Sequence, residues 1–285
     1  MEITAAKVNE LRQKTGAGMM DCKKALVEAN GDFEKAIELL RKKGAAVASK
    51  RAEKSANEGM VLTKISDDKK SGVMVEVNCE TDFVARSEDF MSFTNYVLES
   101  AVSKKTKNLD EFLKSNSTIS EKMSDIMGKV GEKVEVSRVT SEDTDNGLVV
   151  DYIHPGSKLG VLVMFDTLEN NRDNFVEIAK DIAMQVAAMK PLCVYRDEVP
   201  KDIIDKEIDI YKELARKEGK PENILEKIAL GKLTKFYQEN CLAEQIYIKD
   251  NTKTVNDLLK EFNVKYKTSV KLSRFKRFHL SDENK

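Results

Sequence analysis

"GMVLTKISDDKKSGVMV", residues 59–75, recurs 88 positions later as "GLVVDYIHPGSKLGVLV", residues 147–163. Gly59 aligns with Gly147 and Gly72 with Gly160, and each pair brackets an apolar run and a wet turn. Two apolar runs joined by a polar turn read as a strand pair. Val73, Met74, Val75 and Val77 alternate as a half-buried strand does. The likeness continues downstream, where Phe90, Phe93 and Val97 match Phe175, Ile178 and Ile182 at an offset of 85, at the spacing of a long amphipathic helix. "TISEKM" from 118 then matches "TVNDLL" from 254, and "VEVSRV" from 134 matches "VKLSRF" from 270, both at an offset of 136. Each half is strand, turn, strand, long helix, second helix, closing strand. The fold class is α+β: two repeated subdomains, 59–140 and 141–285, each a three-stranded antiparallel sheet covered by helices on one face.

The step from 85 to 136 gives the second half 51 additional residues, placed at about 192–250. They read as two charged amphipathic helices, about 201–217 and 222–239, with "EGKP" (218–221) turning between them and Pro221 suited to start the second. Ile204, Ile208, Tyr211, Leu214 and Ala215 would face Leu225, Ile228, Ala229, Leu233 and Phe236 in an antiparallel hairpin that projects as an arm. The chain opens with a third unit, residues 1–44, of three short helices. Thr4 and Asp32 are N-caps, "TGAG" (15–18) is a tight loop, and Asn30-Gly31 and Gly44 act as stops. Met20 falls at core spacing, and Met19 is an adaptable exposed contact. Residues 45–58, rich in Ala, Ser, Lys and Glu, read as a solvated, partly helical linker.

Charge is dense but balanced. The 285 residues carry 48 Lys and Arg against 49 Asp and Glu, a net charge near −1, which supplies no broad field for nucleic acid or an anionic membrane. Cys22, Cys79, Cys193 and Cys241 form no CxxC pair and lie far in sequence from His154 and His279, so they read as free core thiols with no metal site. The amino-terminal "MEITAAKVNELRQ" has no apolar stretch of the kind a secretory signal requires. "GAGMMD" (16–21) lacks the last glycine of a dinucleotide fingerprint and follows a helix. "DTDNG" (143–147) is a turn and no calcium loop, since position twelve is His154. "RFKRFH" (274–279) interleaves basic and aromatic residues, but the repeat makes it the closing strand.

One stretch escapes the repeat. The turn after the second strand is "CETDFVARSEDF" (79–90) in the first half and "FDTLENNRDNF" (165–175) in the second. Phe90 and Phe175 correspond, whereas Phe83 has no aromatic counterpart. Either it fills a gap peculiar to the first half, or it is a recognition tip on a loop held by a rigid sheet.

"LRQKTGAGMMDCKKAL" (11–26) and "EVNCETDFVAR" (76–86) resemble the two signature motifs of bacterial translation elongation factor Ts, and the resemblance extends through "DIAMQVAAMKP" (181–191) and "KTVNDLL" (253–259). That family consists of guanine-nucleotide exchange factors for elongation factor Tu. The resemblance implies a ubiquitin-associated-like first domain, a two-subdomain core and a helical hairpin. It further implies that Thr81, Asp82, Phe83 and Val84 enter the partner's GTPase domain and disturb its magnesium and phosphate-binding elements. Met19 and Met20 would dock the first domain, and Gln185, where many members carry His, would face another domain of the partner. Some members end in a further helix, for which "HLSDENK" (279–285) leaves little room. No cofactor, catalytic residue, direct nucleic-acid contact or membrane is implied. The expected setting is the cytoplasm, with a homodimer or a 2:2 complex with the partner as the assemblies to consider. A rival reading, a peptide or ubiquitin-like-protein binder built on the first domain, gives Phe83 no role.

Overall fold

Capping chemistry sets the first helices. In the computed structural model, which describes residues 3–168 and 170–282, the Thr4 and Asp32 side chains accept the N–H groups of Lys7 and Lys35. These bonds start α1 (Ala5–Thr15) and α3 (Phe33–Arg51), and Gly16, at φ 68°, ends α1 in the left-handed region. Between them lies α2 (Met19–Glu28), and Val8, Leu11, Cys22, Ala25, Leu26 and Ala36 form the small buried centre. The expected stop at Gly44 is wrong: α3 continues to Arg51. Gly44 is a contact, not a cap. A Cβ there would stand 2.5 Å from the Ser124 carbonyl oxygen, and Gly128 lies opposite. Two helices cross where neither has a side chain, so much of the expected linker is helical and docked, leaving residues 52–57 as the connection.

The first repeat comprises β1 (Glu58–Ile65), β2 (Ser71–Cys79), the short α4 (Asp82–Ala85), α5 (Glu88–Lys104), α6 (Leu109–Lys114), α7 (Ser117–Val130) and β3 (Val134–Asp143). The second comprises β4 (Leu148–Ile153), β5 (Leu159–Asp166), α8 (Arg172–Met189), α9 (Lys201–Lys217), α10 (Glu222–Asn240), a ribbon of β6 (Ile246–Tyr247) and β7 (Asp250–Thr254), α11 (Val255–Tyr266) and β8 (Lys271–His279). The sheets are antiparallel with orders β1-β2-β3 and β4-β5-β8. Helices cover one face of each, around fully buried Phe90 and Phe112 in the first and Phe165 and Phe175 in the second.

The alternation in β2 suggested a half-buried strand, yet the strand is buried from Gly72 to Cys79. Its other face meets the second sheet. Val61, Met74, Val149, Leu162, Met164, Phe278 and Leu280 form this shared layer. The contact is reciprocal under the repeat. A Cβ on Gly72 would meet Ile65, Val149 and Leu162, and one on Gly160 would meet the equivalents Ile153, Val61 and Met74. Val61 N–H donates to the Ser157 carbonyl (2.7 Å), while Val149 N–H donates to the Lys69 carbonyl (2.8 Å). Within each sheet, the Thr144 and Leu280 N–H groups extend the β2–β3 and β5–β8 ladders by one bond, to the carbonyls of Lys70 and Lys158. Arg138 and Arg274, equivalent in the closing strands, each reach across to the other sheet: the first to the His279 carbonyl while pairing with Glu76 in its own sheet, the second to Glu142 and the Asp143 carbonyl. On the pseudo-twofold axis Thr63 donates to its own repeat counterpart, Asp151, at 2.6 Å.

The arm is as read, α9 against α10, with Ala215, Leu225, Ala229, Leu233 and Phe236 buried. Leu214, expected in the seam, is exposed instead. At the root the chain enters and leaves side by side: Cys193 and Cys241 form a bridge pair with sulfurs 3.7 Å apart, although 48 residues separate them. Val194 and Leu242 plug into the second core.

Two outcomes follow from this packing. Gly160→Val should destabilise the core by about 1–3 kcal/mol through overpacking, read as a lower urea midpoint at unchanged slope. An unchanged midpoint would show the two sheets separable at no cost. Replacing residues 200–240 with a short Gly/Ser connection should preserve a cooperative thermal transition, since the arm's two roots already adjoin. Loss of that transition would make the arm part of the core.

Candidate functional site

β2 ends at Cys79, and Thr81 caps α4 by accepting the Val84 N–H through its hydroxyl. The four-residue turn has two sides. Ala85 is buried and Val84 packs on the first core, which pins the turn from below. Phe83 faces the other way and is 84% exposed, so it fills no gap in its own domain. Asp82 pairs with Arg86 at 2.9 Å on the surface, a contact worth little in water.

Two carboxylates hold the turn's base. Glu132, in the loop after α7, accepts the Thr81 N–H (3.0 Å) and hydroxyl (2.8 Å). Glu80 accepts the Lys133 N–H (2.7 Å) and the Arg51 guanidinium (2.6 Å), the last residue of α3. Burial pushes the Glu80 carboxyl up, but the Lys133 N–H and the Arg51 guanidinium outweigh it and hold its pKa below the usual carboxylate range. Burial and the neighbouring carboxylates of Glu132 and Glu58 drive the Cys79 thiol up to about 12, which leaves it an inert core group donating to the Thr81 carbonyl.

The other site residues divide. Met19 and Met20 are both exposed, at 47% and 62%, so Met20 is surface and not core. Val27, one heptad on from Met20, is a further exposed apolar side chain on the same helix face, with the exposed Lys23 and Lys24 between them. Gln185 fails as a surface contact, because it is fully buried. Its amide brackets the β6–β7 ribbon, donating to the Gln245 side chain and the Ile246 carbonyl and accepting the Ile248 N–H. A buried amide so satisfied is a structural strut. Glu132 and Arg51 escaped the sequence reading because nothing local marks them. The repeat held a signal: residues 267–269, equivalent to 131–133, are Lys-Thr-Ser and carry no carboxylate.

A family model described as "Elongation factor TS" matches residues 80–282. Proteins named "Elongation factor Ts" resemble the chain over nearly its whole length. That of Chloroherpeton thalassium is 43% identical over 289 residues, covering 99% of both chains. That of Chlorobaculum tepidum is 45% identical, covering 98% of this chain and 99% of its own, and that of Clostridium botulinum strain Eklund 17B is 45% identical, covering 98% and 93%.

The Glu80 environment sets a pH dependence. A carboxyl whose folded pKa is depressed adds stability that is complete above its unfolded value, about 4.3, and is lost as pH falls through the folded value. Removing Arg51 raises the folded value. Arg51→Ala should therefore be less stable than the parent at neutral pH, with the gap closing on acidification, in urea titrations across a pH series. A gap independent of pH would mean that Arg51 contributes packing alone.

Proposed function

This chain belongs to the elongation factor Ts family, guanine-nucleotide exchange factors of translation elongation acting on elongation factor Tu, and we propose that it opens the partner's nucleotide site by inserting Phe83. One observation carries this reading: a phenylalanine 84% exposed on a turn pinned by Val84, Ala85, Glu80 and Glu132. A large apolar side chain in water, on a backbone that cannot fold it away, gains by entering a cleft elsewhere. Phe83, with Thr81, Asp82 and Val84 around it, enters between two helices of the partner's GTPase domain. The displaced elements hold magnesium and phosphate, so GDP leaves.

The work is coupling between two binding events, with no bond made or broken by this chain. If the factor weakens GDP binding, GDP weakens factor binding by the same ratio. Burying one Phe supplies about 1.5–3 kcal/mol, or roughly ten- to a hundredfold at ~1.4 kcal/mol per decade. A larger displacement needs binding energy from elsewhere. The exposed side chains of Met19, Met20 and Val27 supply a second contact on the same domain of the partner, which is why an exchange factor carries so much scaffold behind one side chain. Balanced charge supports a protein partner over nucleic acid. No helix among the described residues is long and apolar enough to cross a membrane, and the cytoplasm, where elongation takes place, is the setting we propose.

Release of labelled GDP from elongation factor Tu tests the reading. Phe83→Ala at saturating concentration should slow release about ten- to a hundredfold with an unchanged thermal transition, since the side chain packs on nothing in its own domain. Release at the parent rate would sink the wedge.

A further inference from the structure

The turn that carries Phe83 is tied to the α7–β3 loop by a reciprocal exchange. Two adjacent residues on one side, Glu80 and Thr81, bond to two adjacent residues on the other, Glu132 and Lys133. Each carboxylate accepts the other segment's backbone N–H, so neither can slide without breaking both bonds. Charge-assisted acceptance by a carboxylate is among the stronger hydrogen bonds. Arg51 closes the frame. It ends α3, the helix that crosses α7 at Gly44 and Gly128, and its guanidinium lies 2.6 and 2.8 Å from the two oxygens of Glu80. The frame thus has three sides: α3 on α7, the end of α7 on Thr81, and the end of α3 on Glu80.

The second repeat serves as an internal control. Its scaffold has the same strand, turn and helix, but its turn carries no exposed aromatic. There Thr167 donates to the Ser269 carbonyl, and Lys267-Thr268-Ser269 offers no carboxylate where Glu132 stands. Among the described residues the clamp exists only in the half that bears the tip, and Asp166, the counterpart of Glu80 in the aligned turns, accepts from Thr144 instead. A scaffold requirement would have placed it in both.

We infer that Arg51, Glu80 and Glu132 are positioning residues for exchange: they fix the direction of α4 so that Phe83 meets the partner already aimed. This rests on the reading of Phe83 as the wedge. A side chain that must enter a narrow cleft in one orientation loses rate when its base swings, even if the complex still forms. The clamp should therefore act on the maximal rate of GDP release, and little on the concentration of factor that half-saturates it.

The experiment compares Phe83→Ala, Glu132→Ala and the double variant by GDP release from elongation factor Tu, with backbone amide order parameters for residues 81–85. Glu132→Ala should lower the maximal rate several-fold with a half-saturating concentration near the parent's. The order parameters should fall from the rigid value of about 0.85 toward 0.6. In the Phe83→Ala background the same change should cost nothing more, because a residue that acts through Phe83 has no effect once Phe83 is gone. If Phe83→Ala is slow and Glu132→Ala matches the parent, the inference falls and the wedge stands. Additive losses in the double variant also overturn the inference, since Glu132 would then act on the partner by another route. If Phe83→Ala releases GDP normally, the wedge itself fails and the inference with it. Should Glu132→Ala not fold, Arg51→Ala carries the same comparison, its side chain being 37% exposed.

Discussion

The two sheets share one dry face, and the rest of the core is arranged around that contact. Side chains there are small or absent where the strands approach most closely, at Gly72 and Gly160, and branched around them. Because the two halves share one pattern, the glycine packing and the Val61 and Val149 backbone bonds occur twice, once in each direction. Backbone groups at the turns of Lys69 and Ser157, which would otherwise face water, are spent on the opposite sheet. The arginines of the two closing strands do the same with the rims. Glu76, fully buried, meets Arg138, itself only 13% exposed. Such a pair gives little net stability but makes any other register of β2 against β3 costly, because it would strand a charge.

This rigidity is what a small tip needs. Phe83 can be left in water only if the backbone beneath it does not relax and bury it. β2, hydrogen-bonded on both sides and covered on both faces, delivers Cys79 to a fixed point. From there the turn is short, capped and anchored by Ala85, so the tip inherits the position of the sheet. The hairpin arm shows the complementary principle. Rooted where Cys193 and Cys241 adjoin, it adds two helices without disturbing the sheet that carries it.

The repeat made the sheets, their helices and the arm legible, because periodicity and recurrence are carried by residues that touch near neighbours. Phe83 was legible for the same reason, as the residue without a counterpart. What stayed hidden depends on distant segments meeting. β2 looked half-buried because its second cover comes from residues 88 positions on. Gly44 looked like a helix stop because its role is to admit Gly128, which no local pattern reveals. Met20 has the spacing of a core residue, but the three-helix unit is too small to cover that face. Gln185 sits on a long amphipathic helix whose outer side is capped by the β6–β7 ribbon, two short strands below the length at which alternation can be read.

The unbroken α3 has a consequence for how a partner is gripped. Nineteen residues at about 1.5 Å each make a bar of roughly 28 Å, joined to the core by a helix crossing and an ion pair. Under the function proposed above, the methionine patch and the phenylalanine tip would act as the jaws of a caliper with a set gauge. Two contacts on a floppy tether would find almost any pair of matching surfaces at a moderate effective concentration. Two contacts on a fixed gauge reinforce each other strongly on a target of the right dimensions and fail to combine on a target of the wrong ones. Selectivity among GTPases of similar local surface then comes from distance as well as from chemistry.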